Sequence, residues 1–155
     1  MQYFLLKSLH IVSVVLFLGN IITGVFWKIH ADRTGDLRGR AQALDGLIKA
    51  DRLFTVPAVM LIILTGVALA MTMQLPILGT KWILWALVFF GISGAAFVAF
   101  VGPLQKKLLA NARAGLTGTW DEAEYHRLSK VWALWGVVAT AAPLVSLVLM
   151  VFKPA

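Results

Sequence analysis

One apolar stretch, KSLHIVSVVLFLGNIITGVFWK, carries the residues best suited to chemistry. His10, Ser13, Asn20, Gly24 and Lys28 interrupt it at helical spacing, and at about 100° per residue they share a sector roughly 80° wide, with Phe17 in the gap. Polar groups inside a bilayer are costly and turn toward a partner helix, a cofactor or a water-filled path. An imidazole at His10 can ligate haem iron or copper, relay protons, or hydrogen-bond to a neighbouring helix. Lys7, one turn further out, and Lys81 are placed to pair with haem propionates, and Phe17, Trp82 and Trp85 to flank a porphyrin. Met71 and Met73, with Met150, reach the depth of His10. A thioether beside an imidazole suits Cu(I), and a His/Met pair suits a low-spin haem, although packing is the commoner use of methionine. Asn20 either joins helices by a hydrogen bond or lines a pocket.

The elements that hold these residues follow from composition. Of the 155 residues 60% are hydrophobic and only 14% charged, with a mean hydropathy of +0.86. A soluble domain carries charge on about a quarter of its residues. Four stretches, roughly 3–27, 53–75, 82–104 and 131–152, have the length of about 20 residues that a bilayer core requires. Six Lys/Arg separate the first two (Lys28, Arg33, Arg38, Arg40, Lys49, Arg52) and five the last two (Lys106, Lys107, Arg113, Arg127, Lys130); Lys7, Lys81 and Lys153 are left for the other side. This asymmetry predicts both long loops in the cytoplasm and both termini periplasmic. It also explains the net charge of +7 without nucleic acid, for which no motif is present. Trp82 and Trp85 suit an outer aromatic belt, and Trp27, Trp132 and Trp135 an inner one. Lys7 is the single early positive charge and no small-x-small site follows the first apolar run, so that run is expected to be retained. The absence of cysteine excludes disulfides and thiolate metal sites.

The expectation is an all-α membrane protein, an antiparallel four-helix transmembrane bundle with helical cytoplasmic extensions, over about 3–34, 37–75, 81–114 and 120–152. Gly35 is a C-cap candidate, and Leu37, Ala41, Leu44 and Ile48 form an amphipathic lead-in to the second helix. Gly102-Pro103 predicts a kink, Gly115 a helix stop, and Thr119 with Glu122 a capping box. Pro57 and Pro143 should loosen helices two and four. Gly91, Gly94, Ala95, Ala96 and Ala99 offer helix three a surface for close approach. Lys28, Asp32, Arg33, Asp51, Arg52, His126, Arg127 and Lys130 are expected at the inner face, as a solvated or ion-paired cap or as an anion or headgroup site.

The same stretch at 7–28, with ADRTGD, ADRLFTVPAVMLIILTG, LPILGTKWILW, GPLQKKLL and SKVWALWG, resembles the bacterial integral membrane proteins grouped as domain of unknown function 2269. The resemblance covers nearly the whole chain and implies an inner-membrane location. More distantly, Lys-x-x-His at Lys7 to His10 is similar to the first helix of the copper-resistance D family and the membrane protoporphyrinogen oxidases, which implies His10 as a haem b ligand. A haem-binding redox protein therefore ranks first, a small transporter or permease subunit second, then a scaffold and a copper-handling protein. The bilayer is the partner expected, with a homo-oligomer open as an arrangement.

Overall fold

The computed structural model describes residues 1–154 as four helices: α1 (Gln2–Thr34), α2 (Leu37–Thr72), α3 (Lys81–Leu116) and α4 (Glu122–Phe152). All four are long and apolar enough to cross a membrane, and neighbours in sequence run antiparallel. The α1–α2 and α3–α4 turns lie at one end, the basic end, and the α2–α3 turn at the other. Gly35 ends α1 in the left-handed conformation at φ 72°, as its position predicts, and Asp36 caps α2 by accepting from the Arg38 and Gly39 amides. The second turn departs from expectation. The α3 helix continues through Gly115 to Leu116, and Gly118 takes the positive φ of 96°. Thr119 donates to the Ala114 carbonyl, so Asp121 caps α4 by accepting from Glu124 instead.

Proline disturbs α2 and α3 in a particular way. Each helix widens to a π turn, at Asp51–Thr55 and at Phe97–Val101. The Val56 amide reaches the Asp51 carbonyl and the Gly102 amide reaches that of Phe97. Pro57 or Pro103 comes next, with no N–H to donate and a ring that crowds the preceding turn; the extra residue relieves that crowding. The expected kink at Gly102-Pro103 is thus a wide turn just before it. Pro143 stays within continuous α4 and is buried.

The main core lies toward the basic end, where the extensions of α2 and α3 pack on each other and on α4 through Ala41, Leu44, Leu108, Ala112, Tyr125 and Leu128. Ala41 and Leu44 are buried and Ile48 packs beside them, as the amphipathic lead-in requires. Among the spans α1 packs on α2 and α3 on α4, and a smaller core of Phe17, Ala58 and Ile62 meets Phe90 of the other hairpin at 5.6 Å. Two reciprocal bonds fix the α3–α4 register: Ser93 donates to the Ala139 carbonyl (2.6 Å) and Ser146 to that of Ala86 (2.8 Å). That register turns Ser93 and Ala96 inward and leaves Gly91, Gly94, Ala95 and Ala99 exposed, so the small-residue face predicted for α3 is not its packed face.

Candidate functional site

The polar stripe of α1 faces inward as its spacing predicts. Ser13, Phe17 and Lys28 are buried, and His10 and Asn20 reach across to α2. At the level of the first π turn the Asn20 amide donates to Asp51 (3.2 Å) and to Thr55 (2.8 Å), and Thr55 donates to the same carboxylate oxygen at 2.9 Å. Gln105 of α3 donates to the other oxygen at 3.2 Å. Asp51 and Gln105 are 7% and 4% exposed. The carboxylate is therefore held by three neutral donors from three helices. Its ion pair is with no cation among the described residues. A cavity of about 30 Å³ adjoins it, lined by Asp51, Gln105, Trp132 and Thr140, with room for a water molecule. The buried Trp132 Nε1–H has no partner among the described residues.

Trp132 also borders a second polar cluster. Lys28, 2% exposed, lies 4.9 Å above its ring, pairs with Asp32 at 2.5 Å and donates to Ser129. Tyr125 donates to Asp32 at 2.6 Å, and Arg40 donates to the Asp32 carbonyl while lying 5.2 Å above the Tyr125 ring. Burial, followed by the Asp32 carboxylate beside it, pushes the Tyr125 phenol well above its ordinary range. Of the residues expected to gather at this end, Lys28 and Asp32 meet here and Asp51 belongs to the other cluster. Arg33, Arg52, His126, Arg127 and Lys130 are not buried with them. Trp132, assigned above to an interfacial belt, is a core residue.

A groove of about 620 Å³ follows the seam between α1 and α2 over their basic-end halves. Asn20 lies at one end and Thr34 and Asp36 at the other; Trp27 and His30 line it from α1, and Gly39, Ala43, Gly46 and Ala50 from α2.

The other residues singled out in the sequence lie toward the far end. His10 Nδ1 is 2.9 Å from the Thr65 hydroxyl, and the ring rests on Gly66, where an added Cβ would come within 3.3 Å. The α2 helix rises about 1.5 Å per residue, so Met71 and Met73 stand roughly 7–10 Å beyond Gly66. The structure does not bring them to His10; both are exposed. Lys7 lies 5.9 Å over the Tyr3 ring, Lys81 opens α3, and neither lines the groove or the small cavity. Among the described residues no group of three or more His, Cys, Asp or Glu is placed to hold a metal ion.

Reasoning from sequence missed Thr55, Gln105, Arg40, Tyr125 and Ser129. The signal for Gln105 was its place one turn after Gly102, on the face carrying Leu108, Leu109 and Ala112.

Comparison with curated proteins and with solved structures finds no match. A family match spans residues 4–154, and with four apolar helices packed as described the chain belongs to the predicted integral membrane protein family known as domain of unknown function 2269.

Proposed function

We propose that the protein is a small proton-handling membrane carrier in which Asp51 takes up and releases the proton. The observation that supports this reading is the Asp51 carboxylate itself, buried among Asn20, Thr55 and Gln105 with no cationic side chain among the described residues to balance it. A bare carboxylate is expensive in such surroundings, and a proton removes the cost. Three neutral donors can hold the charged form long enough for exchange. The adjoining cavity has space for a water to accept or deliver the proton. The two π turns set Asp51 and frame the cavity; such turns often sit at functional sites. In this reading the protein lies in the bacterial inner membrane with its basic end in the cytoplasm.

The test is reconstitution into vesicles loaded with a pH-sensitive dye. The full chain is expected to dissipate an imposed pH gradient at least tenfold faster than empty vesicles, and Asp51→Asn to remove that gain. A parent no faster than empty vesicles, or an undiminished Asp51→Asn variant, refutes the reading.

A second reading is that His10 ligates a haem b with a redox role. What favours it is the Thr65 contact. The Thr65 hydroxyl donates its own proton to the Leu61 carbonyl, so it accepts from His10 Nδ1–H and leaves the Nε2 lone pair for a metal. The residues fit one axial ligand, and electron transfer is the chemistry such a group would supply. Protein from haem-replete cells should then show a Soret band that His10→Ala abolishes; a colourless parent, or a band indifferent to the substitution, excludes it.

A further inference from the structure

We infer that the groove between α1 and α2 binds a flat organic cation, an inference that rests on Asp51 being the charge-binding centre. The chain has a net charge of +7 and fourteen Lys/Arg, and none of the fourteen lines this groove. Its lining carboxylate, Asp36, is occupied at the N-terminus of α2. The walls differ in kind. Trp27, 59% exposed, lines the groove from α1, its ring 5.9 Å from that of His30 and nearly perpendicular to it. The opposite wall repeats small residues at Gly39, Ala43, Gly46 and Ala50, and a Cβ added at Gly46 would meet nothing within 4 Å. An indole on one side and open backbone on the other make a slot for a planar ring, and an indole attracts cations through its π face. A volume of about 620 Å³ is of the size that holds small organic ligands.

The deep end gives the slot its polarity. Both side-chain hydrogen bonds of Asn20 use Nδ2, toward Asp51 and Thr55, and its carbonyl oxygen accepts from no group among the described residues. An amino group in the groove can donate to that oxygen, with the Asp51 carboxylate one hydrogen bond behind it. A cation is therefore favoured over a neutral molecule of the same shape, and an anion is disfavoured. Proton and cation would answer to the same carboxylate.

Ethidium, a planar aromatic cation with two amino groups, is the probe. Titrated by fluorescence against the detergent-solubilised full chain, it is expected to bind saturably. Gly46→Leu fills open space with a better helix former and should weaken binding at least tenfold while the protein folds; Trp27→Ala should weaken it comparably. Leu78→Ala, in the α2–α3 turn, should leave it unchanged. An anionic dye of similar size, anilinonaphthalene sulfonate, should not compete. Equal competition by the anion, displacement by a neutral single-chain lipid, or indifference to both groove variants overturns the inference. Binding is read without a pH gradient. Failure of ethidium to bind leaves the proton reading standing, and loss of proton flux with ethidium binding intact does the reverse.

Discussion

At the scale of single residues, the two buried clusters answer the same problem in opposite ways. Lys28 and Asp32 neutralise each other, and Ser129, Tyr125 and two aromatic rings supply what the pair lacks. Among the described residues Asp51 has neutral donors alone. Removing one partner of a buried ion pair costs about 3–5 kcal/mol because the other charge stays buried and unpaired, and Asp32→Ala is expected to lower thermal stability by that order. The same variant has a spectroscopic readout. Tyr125 has its phenol raised chiefly by burial and then by Asp32, so its proton is held more tightly folded than unfolded. The stabilisation is whole below the ordinary tyrosine value of about 10, and is lost as pH rises through the folded value. Asp32→Ala should bring the late phase of tyrosine ionisation to lower pH, and Tyr125→Phe should delete it. An unchanged late phase in Asp32→Ala would disprove the contact. How much of this was legible depends on the kind of pattern. The α1 stripe could be read because helical periodicity alone places His10, Asn20 and Lys28 on one face. Burial of Lys28 and Arg40 could not, because basic residues at the end of a span read equally well as topology signals.

At the scale of elements, the wide turn of α2 holds both Asp51 and its Thr55 donor. Within it Asp51 and Thr55, four residues apart, both turn inward while Leu53 and Phe54, 67% and 46% exposed, face outward. Deleting Leu53 removes no buried contact but restores an α turn and brings Asp51 and Thr55 from four residues apart to three, which shifts the Thr55 hydroxyl away from the carboxylate it donates to. The deletion is expected to abolish the Asp51-dependent proton flux, whereas Leu53→Ala leaves it intact; equal flux from both would show that the wide turn does not position the site. The limits of α1, the Gly35 cap and the amphipathic lead-in were visible in the sequence, since each is a local rule, whereas the stop expected at Gly115 and the cap expected at Thr119 are overruled by Gly118 and Asp121. The π turns were not. One inserted residue leaves no periodic signature in five residues, and the prolines that accompany it predict only a disturbance of some kind. The face of α3 was misjudged for a related reason. Small residues on that helix suit close approach, but Ser93 and Ser146 choose the face by bonding to carbonyls across the pair.

At the scale of the whole molecule, the chain is two hairpins joined most firmly at the basic end, and the same end carries eleven of the fourteen Lys/Arg. Two of those eleven, Lys28 and Arg40, are buried in the folded protein. They still count toward orientation, because a segment is oriented while its loops are short, free and exposed, before the hairpins pack. Nine against three would suffice without them. The basic end is therefore expected in the cytoplasm, with the groove and the Lys28 cluster on that side and the α2–α3 turn outside. The absence of cysteine makes this directly measurable with single substitutions at exposed positions. Leu78→Cys, at a site 77% exposed in the α2–α3 turn, should react with a membrane-impermeant maleimide in intact cells. Lys49→Cys, where the lysine side chain is 74% exposed on the α2 extension, should react only once the membrane is opened. The reverse pattern would place both clusters and the groove toward the periplasm, and a proton taken up by Asp51 would then have to enter from the opposite compartment.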